Sequence, residues 1–412
     1  MVKNNNRFIL AGFFIAWLVD YFFYQKPFGI AFFLWIFISI AALFLFSFLE
    51  KTKPHRFSYV LAAAALFLST GSFTRMEPFT RFATSTGSIL LLILLTITFL
   101  NGNWLYYRLL DYLLQGFIWL VAILSRPIGL MFQNTKKEAD SSMDSQSEGK
   151  HKKDFSVWQI VRGFLIVIPI LLVMGALLTN ADPIFKQNLE QLFKFTAFDN
   201  LEEFLFRLVY VLILGYLFIG VLLNAILPKK IQARPATNQP SFPKFLGSVE
   251  TNIVFLSINI LFAAFLLVQF RYFFGGEANI NVTGFTYAEY ARRGFGEILA
   301  VAVLTTMVYY FFLSITKLTG KKEQIIFSTL IILIFAQVLI MLVSSYQRLV
   351  LYEQAYGFSR LRTYTHLFLP WLALLIVVIM VLEISRRQGH LALSILLVMF
   401  GFVVTTLFFN VD

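Results

Sequence analysis

Apolar runs close to twenty residues long recur from one end of this chain to the other. About twenty apolar residues is what a helix needs to cross the hydrocarbon core of a bilayer. That recurrence points to an all-α, polytopic transmembrane helical bundle. The composition agrees: 58% of residues are hydrophobic, 14% are charged, and the mean hydropathy is +0.76. A soluble domain carries roughly 25% charged residues. About eleven spans are expected, near 8–24, 29–49, 58–74, 85–101, 157–178, 204–226, 250–272, 296–316, 324–345, 364–383 and 391–409. The first leads into Asp20-Tyr21-Phe22-Phe23-Tyr24 with no small-residue cleavage site, so it reads as a span and not a removed signal peptide.

Orientation follows from the basic residues. With the N-terminus inside, cytoplasmic segments hold 21 of the 34 lysines and arginines; external segments and helix ends hold 11; Arg162 and Arg207 lie within spans. The bias favours N-inside, C-outside, provided the span count is odd. It also accounts for the net charge of +12 without a nucleic-acid partner. Residues 104–132 are apolar but interrupted by Arg108, Asp111, Arg126 and Pro127. They read as a pair of interfacial helices on the cytoplasmic leaflet, with a membrane hairpin as the alternative.

The stretch from Gln133 to Asp154 is polar and cannot bury an apolar face, so 134–154 is expected to be a disordered cytoplasmic linker. It separates a four-span region, 1–133, from a seven-span region, 155–412. A second basic, proline-containing break runs from Pro228 to Gly247.

Charges within or beside membrane spans are costly and mark candidate sites. On this topology they collect at the outer side in two segments. In the first, Tyr287, Glu289, Tyr290, Arg292, Arg293 and Glu297 fall together, with Glu289, Arg293 and Glu297 spaced i, i+4, i+8 on one helical stripe. In the second, Arg348, Tyr352, Glu353, Tyr356, Arg360 and Arg362 surround Gly357, a candidate helix stop. The two segments are expected to meet as one Arg/Glu/Tyr cluster. That cluster is either a structural ion-pair network or a binding site for an anionic or sugar-like group.

Elsewhere the ordinary readings are favoured. Asp182-Pro183 ends a span, and Asn252, Asn259, Gln269 and Gln337 suit interhelical hydrogen bonds. There are no cysteines, and His55, His151, His366 and His390 do not pair at a metal-ligand spacing, so no metal site and no cofactor are expected. No phosphate loop, zinc-protease, nucleophile-elbow or dinucleotide motif is present.

Several longer stretches carry a family resemblance: Arg162 to Pro169 leading to Asn180-Ala181-Asp182-Pro183-Ile184-Phe185, then Tyr272-Phe273-Phe274-Gly275-Gly276, then Tyr287 to Glu297 and Arg348 to Arg362. Together they resemble the bacterial integral-membrane family catalogued as domain of unknown function 4173, with its relative 4153. The resemblance implies a multi-pass protein of the bacterial cytoplasmic membrane and implies no activity.

Three functions remain open. The first is a non-enzymatic sensor, scaffold or accessory subunit with a membrane-protein partner. The second is a transporter or lipid flippase, which concentration of charge near one face disfavours. The third is an enzyme acting from outside on a lipid-linked or envelope substrate, with Glu289 or Glu297 as acid or base.

Overall fold

The computed structural model describes residues 5–143, 201–227, 244–273 and 295–409, with Met174, Leu178 and Asp182 as single positions. The fold is all-α. The helices are α1 (Asn5–Phe23), α2 (Ile30–Leu49), α3 (Arg56–Ser69), α4 (Gly71–Thr74), α5 (Pro78–Thr98), α6 (Leu109–Met143), α7 (Leu201–Ile226), α8 (Ser248–Phe273), α9 (Phe295–Ile315), α10 (Lys321–Tyr356), α11 (Arg360–Ile384) and α12 (Leu391–Phe408), with short 3-10 turns at Asn103–Tyr106 and Gln388–His390. Eleven helical stretches among the described residues are long and apolar enough to cross a membrane. The chain is therefore a multi-pass membrane protein.

The expected spans find their helices, apart from 157–178, which lies outside the described residues. The eleventh apolar helix is instead Leu109–Gly129. Here the structure corrects the sequence reading: residues 109–143 form one continuous helix and not a pair of short interfacial ones. Pro127 sits inside it without ending it. The same helix runs through 134–143, the first half of the expected linker; 144–154 lies outside the described residues.

The chain divides into two units, Met1–Lys53 with Ile118–Pro228, and Pro54–Phe117 with Lys229–Asp412. In the first unit α1 and α2 form a hairpin, with Phe8 and Phe46 rings 4.7 Å apart. Helix α7 packs on α1 through glycines: a Cβ at Gly12 would lie 2.4 Å from Ile219, and one at Gly215 would lie 2.3 Å from the Phe13 ring. Part of α6 meets α7 just as closely. A Cβ at Gly220 would fall 2.1 Å from the Ile123 carbonyl oxygen, Arg126 donates to the Leu223 carbonyl at 2.9 Å, and Tyr216 donates to the Leu124 carbonyl.

In the second unit α3 and α5 form a hairpin tied by Ser88 to the Ala65 carbonyl and Ser58 to the Phe99 carbonyl, both at 2.7 Å. Around α10, residues Phe255, Tyr309, Phe327, Phe335, Val338 and Ile376 build a buried apolar core. Polar side chains cross it at one level, as expected for two of them: Asn259 donates to the Leu330 carbonyl at 3.1 Å, and Gln337 to the Asn259 carbonyl at 3.3 Å.

The ends of this unit are defined by contacts. At one, Leu246 bridges to Thr316, and the Leu109 amide donates to the Tyr310 hydroxyl at 3.1 Å. At the other, Arg75 caps the end of α12 by donating to the Leu407 carbonyl at 2.8 Å, and Glu77 accepts from Tyr364 at 2.5 Å. We call these the Thr316 end and the Tyr364 end.

Candidate functional site at the Tyr364 end

Helices α10 and α11 are joined by a tight turn at Gly357. Its φ of +73° is a left-handed backbone angle that favours glycine, and its amide donates to the Glu353 carbonyl at 2.7 Å, closing α10. The chain returns along α11, which brings residues on either side of the turn face to face.

The main polar contact across this hairpin is between Glu353 and His366, whose Nε2 meets the Glu353 Oε2. Glu353 is only 7% exposed. Its second oxygen, Oε1, is buried and has no hydrogen-bond partner among the described residues. The Tyr346 ring stands edge-on to the imidazole, with centroids 5.0 Å apart. On the next turn Arg362 lies over the Tyr352 ring at 4.0 Å and donates to the Gly357 carbonyl; Tyr352 in turn packs on Tyr356 at 5.1 Å. Arg360 is exposed and forms no salt bridge among the described residues. The tip also exposes Phe358 and Leu361.

A second latch stands beside it. Glu77 caps α5 by accepting from the Thr80 amide at 2.7 Å and takes the Tyr364 hydroxyl, which also meets Thr80 Oγ1 at 2.7 Å. Burial pushes the Glu77 carboxyl up, but the hydrogen bonds from Tyr364 and Thr80 outweigh it and hold the group below the usual glutamate range.

Of the residues that sequence reading grouped, the structure gathers Tyr352, Glu353, Tyr356 and Arg362 around one turn, with Arg360 at its edge. Arg348 is half-buried one turn before Tyr352. Glu297 is exposed in the first turn of α9. Tyr287, Glu289, Tyr290, Arg292 and Arg293 lie outside the described residues. The partner of Glu353 is the imidazole of His366, a residue outside the expected Arg/Glu/Tyr grouping. His366 had looked like a lone histidine; its position nine residues beyond Gly357, against Glu353 four residues before it, is the signal that a hairpin would pair them.

Two further buried acids went unrecognised as centres. At the Thr316 end Glu383, 2% exposed, accepts from Tyr309 at 2.6 Å, Ser328 at 2.6 Å and Gln388 at 2.9 Å. In the first unit Asp20 takes Arg207 through Nε at 3.1 Å and Nη2 at 2.5 Å, together with the Tyr210 hydroxyl, while the guanidinium lies over Tyr24 at 4.7 Å. Arg207 reads from the sequence as a charge within a span, but nothing in its spacing from Asp20, 187 residues away, joins them. Among the described residues no group of three or more acids and histidines could hold a metal ion.

Residues 62–412 match the family model described as domain of unknown function 4153. No curated protein and no solved structure matches the chain.

Proposed function

The chain belongs to the family of domain of unknown function 4153, and from that premise we propose a non-enzymatic membrane protein, a sensor or accessory subunit, that offers the α10–α11 turn to an anionic group. One observation carries the reading. At the Tyr364 end the buried carboxylates, Glu77 and Glu353, are already engaged by neighbouring side chains, while Arg360 is exposed and Arg362 is half-buried beside Tyr352 and Tyr356. Guanidinium groups flanked by phenols suit phosphoryl or carboxylate recognition. The long motifs at 348–362 also favour a nearer kinship with the related family 4173.

To test the reading, the protein is placed in nanodiscs of phosphatidylcholine with or without phosphatidylglycerol, and inorganic phosphate is tested separately. Anionic lipid, phosphate or both should raise the unfolding temperature, and the Arg360→Gln/Arg362→Gln double variant should lose that rise. Equal stability under all conditions overturns the reading.

The topology we favour keeps N-inside and C-outside in a bacterial cytoplasmic membrane, with the Tyr364 end outside. Residues 109 and 246 stand at the same end of the second unit, so the chain between them crosses an even number of times. Helix α7 supplies one crossing; either α6 or the segment 157–178 supplies the other. Lys136, Lys137, Lys150, Lys152 and Lys153 favour an inner location for the intervening stretch. The total is eleven by either route. A reporter inserted at residue 148 separates them: cytoplasmic activity supports a non-crossing α6, and external activity refutes it.

A further inference from the structure

We propose that Glu353 and His366 form a proton-responsive latch that fastens α10 to α11 at the base of the exposed Tyr356–Leu361 tip. The argument starts from a half-satisfied acid. Glu353 is buried, one of its oxygens meets the imidazole, and the other has no partner among the described residues. Buried polar atoms are normally paired, and an ionised carboxylate in such surroundings gains most from a cation placed against it. Imidazole is the side chain whose charge state changes near neutral pH. Neutral, its Nε2–H donates a hydrogen bond to the carboxylate; doubly protonated, the same contact is an ion pair shielded from water.

The neighbours leave this pair as the responsive element. From α10 the ring faces the Glu353 carboxylate and the edge of Tyr346. On α11 itself, Arg362 lies over the Tyr352 ring and donates to the Gly357 carbonyl, and Tyr364 is turned to Glu77 from the start of α5. Gly357, with its left-handed φ, makes the turn within the tip. Acid tightens the latch and holds the tip; higher pH loosens it. None of this depends on the tip binding an anion.

The absence of native cysteine makes a direct test available. A spin label is attached at Phe358→Cys, an exposed tip position, in protein reconstituted in phosphatidylcholine, and spectra are taken from about pH 8 to about pH 5.5, the range in which imidazole titrates. The immobilised component should grow as the pH falls. His366→Gln should abolish that shift. Glu353→Gln keeps the volume and a hydrogen bond but not the charge, and should abolish it as well. Glu77→Gln should leave it intact. The helix content of each variant is checked by circular dichroism. A pH-independent spectrum in the parent, a shift that survives Glu353→Gln, or its loss in Glu77→Gln overturns the latch.

Discussion

The helix pair α10–α11 carries a buried glutamate at each end, and the two are held differently. At the Thr316 end Glu383 accepts from α9 through Tyr309, from α10 through Ser328 and from the turn after α11 through Gln388. Both of its oxygens are occupied by neutral donors, and three elements converge on one carboxylate of α11. At the Tyr364 end Glu353 has one titratable partner and an oxygen with none among the described residues. A fully bonded carboxylate fixes geometry; a half-bonded one leaves room for a proton or a rearrangement to change its energy. Rigidity is therefore expected at the Thr316 end, and adjustability at the Tyr364 end, where Arg360 is exposed.

The largest effect should come from Glu383→Ala. It strands the buried Tyr309 hydroxyl and the half-buried Ser328 and Gln388 donors and opens a cavity, costing about 3 kcal/mol or more. Thermal unfolding in detergent should show a marked loss of stability. If the variant matches the parent, the contrast between the ends is broken.

Glu353→Gln should cost far less at neutral pH, about 1 kcal/mol at most. It removes a buried charge whose bonding was incomplete and keeps an amide that can still meet His366. A loss equal to that of Glu383→Ala would mean that Glu353 is as much an anchor as its counterpart.

Much of the architecture was legible because hydrophobic length is a local property. The helices of α1, α2, α8, α9 and α12 follow directly from their apolar runs. Residues 104–132 were misread because Arg108, Asp111, Arg126 and Pro127 look like interruptions on a one-dimensional scale. In the structure Asp111 caps the start of α6 by accepting from the Arg108 amide at 2.9 Å, and Arg126 is satisfied by a carbonyl of α7. Polar groups with such partners do not break a helix. The site was legible only in part, for a related reason. Tyr352, Tyr356 and Arg362 are neighbours along the chain, so their grouping could be read. The partnerships of Glu383 with Tyr309 and of Glu77 with Tyr364 join residues 74 and 287 positions apart. They depend on which helices pack together, which no periodicity encodes.

The smallest effect sharpens the comparison within the Tyr364 end itself, where Glu77 and Glu353 should respond to acid in opposite senses. The folded protein holds the Glu77 carboxyl below its ordinary range through Tyr364 and Thr80, against the opposing push of burial. A group depressed in this way contributes stability above its unfolded value, roughly pH 4.3, and loses it as the pH falls through the folded value. Its contribution is thus constant from pH 8 to pH 6, where the His366 latch is expected to tighten, and disappears only in stronger acid. Unfolding temperatures of the parent, Glu77→Gln and Tyr364→Phe should differ by a constant amount between pH 8 and pH 6, equivalent to about 1 kcal/mol. Below about pH 4 the gap to Glu77→Gln should close, because the Glu77 of the parent is then protonated and carries no charge for the fold to stabilise. A gap that widens in acid would reverse the sign of the Glu77 contribution. A gap that closes between pH 8 and pH 6 would tie Glu77 to the histidine and merge the two latches into one.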